Sequence, residues 1–266
     1  MISKDEINQI IQTYTVQYKS MSYIANEFHY NIKTIKEILL SNGVELRTLS
    51  QQHQKKFNHD YFKVIDTEEK AYWLGFIYAD GCVTNDVFSV RLDVKDILHL
   101  EKLKKCMESD HSIGIYESRN GYNIGKKFCQ FSIHDKQLVL DLIDKGVYYR
   151  KSSILKFPNN SIVPDNLISH FIRGYFDGDG SVYVANKKYG YLGISFDGDY
   201  EFLSSLLSIL SAITGTNSSL YKSSGDNHYL LKIGGTNQVK RFEQYLYSES
   251  SIFLERKRNT FTNNLI

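Results

Sequence analysis

Two aspartates, Asp80 and Asp179, close the same short pattern: residues 72–83 read YWLGFIYADGCV and residues 171–182 read FIRGYFDGDGSV. Aligned on the final Asp-Gly, Gly75 falls on Gly174, Ala79 on Gly178 and Gly81 on Gly180. Each apolar stretch predicts a helix. The first is expected over Glu68–Asp80, with Thr67 or Asp66 as N-cap and Gly81 as a left-handed stop. Small residues at i and i+4 share a helix face. A helical glycine costs about 1 kcal/mol against alanine. That cost makes sense if Gly75 and Ala79 pack on Gly174 and Gly178, which brings Asp80 and Asp179 together. Two carboxylates at the negative ends of two helix dipoles repel each other. A hard divalent cation relieves this, and a site with few protein oxygens suits Mg²⁺, with Mn²⁺ as a substitute. Such a site neutralises a phosphate and activates water, the chemistry of phosphodiester hydrolysis. A calcium loop starting at Asp177 is excluded, because Val182 stands where glycine is required and Lys188 where glutamate is required.

What positions the aspartates also repeats. After the first copy, Phe88, Val90, Leu92 and Val94 alternate with Ser89, Arg91 and Asp93, a strand with one apolar and one polar face. A helix over about 96–107 follows, then strands at Ser112–Glu117 and Cys129–His134, and a helix near Lys136–Lys145. The second copy is followed by strands at Ser181–Ala185 and Tyr191–Phe196, and a helix over about 200–214. Strands at Ser219–Lys222 and Tyr229–Ile233 come next, then a helix near 237–246. The fold class is therefore α+β: two pseudo-symmetric αββαββα halves, 67–158 and 159–266, with helices on one face of each antiparallel sheet.

Composition narrows the alternatives. With 266 residues, 42% of them apolar, the chain can bury a core, and no apolar run is long enough for a membrane span. Residues 1–19 lack the apolar block of a signal peptide, so a soluble, non-secreted protein is expected. Three scattered cysteines form no CxxC pair, which argues against a zinc site or a disulfide framework. Thirty-two Lys and Arg against 30 Asp and Glu exclude a histone-like polycation and leave room for local basic surfaces.

The paired pattern resembles the LAGLIDADG homing endonucleases in their single-chain, two-motif form, over about residues 60–262. The resemblance implies a monomeric, site-specific double-stranded DNA endonuclease whose two sheets grip the major groove of a long pseudo-palindromic site. It implies metal binding by Asp80 and Asp179, cleavage across the minor groove, and no membrane partner. A place at DNA in the cytoplasm of a bacterial or phage-infected cell, or in an organelle, goes with it. Family members often have a basic residue in each half near the active centre. Arg-Lys recurs in Tyr149-Arg150-Lys151-Ser152 and in Glu255-Arg256-Lys257-Arg258, so Lys151 and Lys257 are the catalytic lysines the resemblance suggests. Tyr78 stands where an acidic residue is frequent, whereas the second copy has Asp177; that position is expected in helix packing. On the same scaffold, a non-cleaving DNA-binding regulator or an RNA maturase is the alternative, though the presence of both aspartates favours cutting. With no splicing nucleophile at Met1 or in the last residues, an intein is not expected.

The polar strand faces then become the DNA-reading surface. In the first half these are Ser89, Arg91, Asp93, Gln130, Ser132 and His134; in the second, Tyr183, Asn186, Ser195, Lys222 and Lys232. Lys126, Lys127, Lys187 and Lys188 lie between strands and are expected on phosphates. Residues 1–50 fall outside the repeat. Three amphipathic segments, Lys4–Tyr18, Ser20–Phe28 and Ile32–Ser41, resemble a helix-turn-helix module whose third helix presents Asn31, Lys33, Thr34 and Lys36; a small helical packing domain is the other reading. Residues 51–66 read as a linker.

Overall fold

A computed structural model describes residues 2–17, 19–47, 55–119, 124–149, 155–186, 188–223 and 227–264. The chain divides into two compact units, Met1–Lys55 and Lys56–Ile266.

The first unit is α1 (Lys4–Thr15), α2 (Met21–Glu27) and α3 (Ile32–Ser41). Each helix opens on a polar cap: Ser3, Ser20 and Asn31 accept the amides of Glu6, Tyr23 and Thr34, each such cap contributing about 1 kcal/mol. Ile10, Tyr14, Ile24, Ala25, Ile35 and Leu39 form a core of its own. α1 stops at Thr15, short of the expected Tyr18. The β-branched Thr13, Thr15 and Val16 crowd χ1 against the preceding turn, and both threonine hydroxyls bond carbonyls four residues back. The α2–α3 turn passes through His29 at φ 57.

In the second unit, α4 (Glu68–Asp80) leads into β1 (Gly81–Thr84) and β2 (Val87–Asp93). A 3₁₀ turn over Val94–Asp96 follows, so Val94 ends the strand rather than extending it. Then come α5 (Ile97–Cys106), β3 (Gly114–Glu117), β4 (Lys127–His134) and α6 (Lys136–Asp144). The series repeats as α7 (Ile168–Asp179), β5 (Ser181–Asn186), β6 (Tyr191–Asp199), α8 (Tyr200–Thr214), β7 (Leu220–Lys222), β8 (His228–Ile233) and α9 (Thr236–Tyr247), and α10 (Glu255–Asn264) closes the chain. Each half contributes a four-stranded antiparallel sheet, in the orders β1-β2-β4-β3 and β5-β6-β8-β7. No helix among the described residues is long and apolar enough to cross a membrane.

One apolar core runs through both halves, from Phe62, Trp73 and Phe88 to Phe196, Phe242 and Phe261. α4 lies at its centre. Every residue from Ala71 to Tyr78 is buried, the burial expected of a helix that is apolar all round.

Gly81 is not a left-handed stop. It is extended (φ −78, ψ 152) and is already the first residue of β1. Glycine is needed there for space, since a Cβ would meet the Ile77 side chain and lie 2.7 Å from the Ile77 carbonyl oxygen. Gly180 repeats this against Phe176. The helix-to-strand turn therefore passes directly under each aspartate.

Candidate active site

α4 and α7 make the most extensive contact between elements of the molecule, and they touch backbone to backbone. A Cβ on Gly75 would collide with the Phe171 carbonyl and sit 2.9 Å from the Tyr175 amide nitrogen. A Cβ on Gly174 would collide with the Tyr72 carbonyl and sit 2.8 Å from the Phe76 nitrogen. One turn further, Gly178 faces Ala79, and its missing Cβ would lie 3.6 Å from Asp80 Oδ2. The Asp80 carboxylate thus lies against the last turn of the neighbouring helix, whose final residue is Asp179. Asp80 is half-buried and Asp179 exposed. Asp179 lines a polar cleft of about 460 Å³ with Gly178, Gly180, Ser181, Val182, Arg256, Lys257 and Thr260.

Lys257 is only 5% exposed, although it opens the last helix. Its ammonium donates to the carbonyls of Phe176 (2.5 Å), Gly178 (3.3 Å) and Gly180. These belong to the last turn of α7 and the residue after it, where the dipole favours a cation, and the Phe176 carbonyl also accepts the Gly180 amide. Arg256 beside it is held by Asp96, 3.0 Å from Nε to Oδ2. Burial brings the Lys257 pKa down from 10.5 to about 8; Asp177 opposes that fall, Arg256 adds to it, and Asp80 and Asp179 also oppose it. Lys257 is thus in electrostatic reach of both aspartates. Lys151, its expected counterpart, lies outside the described residues.

A pH dependence follows. Below pH 8 Lys257 is protonated in both the folded and the unfolded chain. Between about 8 and 10.5 the folded chain releases a proton that the unfolded chain still holds, so this group makes stability rise with pH across that window. Lys257→Met is expected to remove that rise, checked by urea unfolding of both proteins at pH 7.5 to 10.5. Parallel curves for the two proteins would show that the lysine is not depressed.

Behind the cleft, Asp177 is fully buried and accepts from the Tyr72 hydroxyl (2.8 Å), the Tyr247 hydroxyl (2.8 Å) and the Leu254 amide (2.7 Å). Burial pushes its pKa up, against these donors and Lys257. These bonds tie α4, α9 and the start of α10 to the base of α7. Tyr72 gives its single proton to Asp177, so His99 Nε2, 2.9 Å away, is the donor in their bond. Burial lowers the His99 pKa to about 3 and keeps the ring neutral. One turn earlier on α7, Arg173 donates to the Ile252 and Leu246 carbonyls and to Glu68 Oε1 at 2.6 Å. Burial raises the Glu68 pKa, but the Ser251 amide and hydroxyl and then Arg173 hold it below the ordinary value. Tyr78, in the place of Asp177 in the first copy, is buried and donates to the Lys145 carbonyl. Glu68, Tyr72, His99, Arg173 and Tyr247 escaped the sequence reading. The available signal was an arginine, Arg173, inside an otherwise apolar helical stretch.

Strand register places the residues read as DNA contacts. Ser89 pairs with Ser132, Arg91 with Gln130 and Val87 with His134, all on the face away from the core of Phe88, Val90, Phe131 and Ile133. Asp93 ends the same row. Ser181, Ser195 and Lys232 align across the second sheet, and Tyr183 follows on that face opposite Gly193. Lys222 does not join them. It pairs with Tyr229, which pairs with Gly198, on the core side of the sheet next to Phe196, and its neighbour Tyr221 takes the outer face. Edge exposure frees Lys222 from burial without turning it outward, because side chains alternate with period two. Lys188 is exposed in a turn and Lys126 is exposed just before β4, whereas Lys127 is the first residue of that strand. Asn186 ends β5 beyond a register shift, and its side chain accepts the Lys188 amide. Lys187 lies outside the described residues. In the first unit Lys33 and Lys36 are exposed, while Thr34 is half-buried with its hydroxyl on the capping Asn31.

Two glycine-contacting helices between two four-stranded sheets, with an aspartate at each helix end, form the fold of the LAGLIDADG homing endonucleases. Residues 166–247 match the family model of the LAGLIDADG-like domain. The fold is similar to that of the homing endonuclease I-WcaI bound to its DNA recognition sequence: TM-score 0.55, 15% identity, 78% of this chain and 91% of that one. It is similar also to the I-SmaMI LAGLIDADG homing endonuclease bound to cleaved DNA: TM-score 0.50, 15% identity, 74% and 87%. A curated relative, the probable translation initiation factor IF-2 of Methanocaldococcus jannaschii, is 28% identical over 184 residues; the match covers 66% of this chain and 15% of that protein's length.

Proposed function

We propose that this chain is a site-specific double-stranded DNA endonuclease of the homing type. The observation that carries the reading is the meeting of Asp80, Asp179 and Lys257 where α4 and α7 end. The donor set fits a hard cation. Two carboxylates converge where helix dipoles add negative potential, and no group of three or more His, Cys, Asp or Glu side chains gathers among the described residues. Mg²⁺, which is held through one or two carboxylates and keeps several waters, would suit such a set. When bound to Asp80 and Asp179, the cation supplies charge neutralisation at the scissile phosphate and an activated water. Lys257 holds a positive charge beside the aspartates and pins the end of α7, which fixes where Asp179 projects. The sheets' polar outer faces supply donors and acceptors for the major groove, which is wide enough for β-strands. A single chain with both halves serves as a monomer on a long pseudo-palindromic site.

The reading is tested by incubating the protein with Mg²⁺ and a randomised duplex library and sequencing the ends. Recurrent ends at one sequence are expected. Selective retention of duplex without cutting would favour the non-cleaving regulator, and, in a parallel incubation with a randomised RNA library, retention of RNA alone would favour the maturase.

The unit Met1–Lys55 is proposed as a helix-turn-helix module, with Lys33 and Lys36 of α3 toward DNA. Each phosphate it neutralises steepens log K against log salt by about 0.9. Deleting residues 1–55 is expected to weaken binding and flatten that slope, while cleavage survives at higher enzyme concentration because Asp80, Asp179 and Lys257 remain. An unchanged affinity and slope in filter binding across a salt series would make the unit a packing domain instead.

A further inference from the structure

One arginine on the outer face of the first sheet is held in place before any partner arrives. The guanidinium carbon of Arg91 lies 4.2 Å from the centre of the Phe128 ring. Phe128 is itself stacked on Tyr116, with centroids 5.4 Å apart and planes at 24°. Directly across the ladder from Arg91 is Gln130. Its Oε1 accepts from Arg91 Nε at 3.3 Å and Nη2 at 3.2 Å, and its Nε2 donates to Ser132 Oγ at 2.9 Å. On the far side of Gln130 the register places Gly114, and the Tyr116 ring lies over that glycine. Arg91 remains exposed above this support.

We propose that Arg91 reads a guanine in the DNA major groove and that Gln130 is a positioning residue rather than a base reader. The inference rests on the DNA-binding reading above and deepens it. One edge of the guanidinium, Nε with Nη2, is taken by a single glutamine oxygen. The other edge, Nη1 with Nη2, carries the parallel N–H pair that matches guanine O6 and N7. An arginine stacked and hydrogen-bonded in advance gives up less rotamer freedom on contact. Gln130 would need both its oxygen and its nitrogen to read an adenine, and here both are engaged within the sheet. Lys126 and Lys127, exposed where β4 begins, add the positive charge that a phosphate backbone complements.

The test uses the full chain in divalent-free buffer with a randomised duplex library, sequencing the bound fraction. The intact protein is expected to prefer guanine at one position of one half-site by on the order of tenfold or more, the range of a bidentate base contact. Arg91→Ala and Arg91→Lys should each flatten that position alone, and Arg91→Lys should do so with the salt slope unchanged. Gln130→Ala should weaken the guanine preference a few-fold without creating a new preference there. Melting curves like those of the intact protein separate these effects from misfolding. In a protein that binds duplex, three outcomes overturn the proposal. Arg91→Ala could leave every position unchanged. It could weaken all sequences equally with a shallower salt slope, the mark of a phosphate contact. Gln130→Ala could instead remove an adenine preference. A protein that binds no duplex at all would overturn the DNA reading itself, and this inference with it.

Discussion

Gly174→Ala is expected to destabilise the second unit strongly, and Gly75→Ala, which meets the Phe171 carbonyl in the same way, to a similar extent. In an ordinary helix the substitution stabilises by about 1 kcal/mol. Here the added Cβ meets the Tyr72 carbonyl and lies 2.8 Å from the Phe76 nitrogen. Both are backbone atoms in the middle of a buried helix, so neither can rotate away as a flexible side-chain end would. Overpacking of a tight core costs about 1–3 kcal/mol even where side chains can adjust. With none able to adjust, a loss of at least ~3 kcal/mol is expected, a large part of the ~5–15 kcal/mol of a typical domain. Gly174→Leu should prevent folding of the second unit. Gly234→Ala is the control, because nothing lies within 4 Å of its Cβ position. Urea unfolding of the three proteins decides the matter. If Gly174→Ala unfolds at the midpoint of the intact chain, the helices do not pack glycine to backbone.

The second large effect concerns chemistry. Asp179→Asn and Asp80→Asn each keep the side-chain volume and remove one of two facing charges. On the proposed reading, a charged carboxylate toward the cation becomes a neutral amide and several kcal/mol of transition-state stabilisation go with it, so double-strand cleavage should fall by at least about a hundredfold. Binding should survive or tighten, because one carboxylate fewer faces the phosphates. The measurement is cleavage of a selected duplex in Mg²⁺ beside a gel-shift titration without it. Full double-strand cutting by either variant would sink the assignment of the paired aspartates.

Much of this was written in local spacing. The Gly75–Ala79 and Gly174–Gly178 pairs sit four apart within long apolar stretches, and a pattern repeated at helical period already implies two helices in close contact. Asp80 and Asp179 follow as the residues where those helices stop. The alternation over Phe88–Leu92 and Cys129–His134 likewise separates the core face from the face bearing Ser89, Arg91, Gln130 and Ser132, since strand side chains alternate with period two. These are short-range properties, and the α+β architecture with two four-stranded sheets followed from them.

Other features depended on residues far apart in the chain. Lys257 sits in a charged stretch, Glu255-Arg256-Lys257-Arg258, whose local signal is a solvated helix start. Only the docking of α10 against α7 buries it and supplies three carbonyls. Asp177 reads locally like its neighbour Asp179; the tertiary fold turns one into a buried acceptor for Tyr72, Tyr247 and the Leu254 amide and leaves the other at the cleft. The face taken by Lys222 and the coupling of Arg91 to Gln130 were set by register between β7 and β8 and between β2 and β4. Local periodicity fixes which residues of one helix or strand share a side. It carries no information about which distant segment will lie against that side, and that pairing decides which charges are buried, which are held in advance and which stay open to a partner.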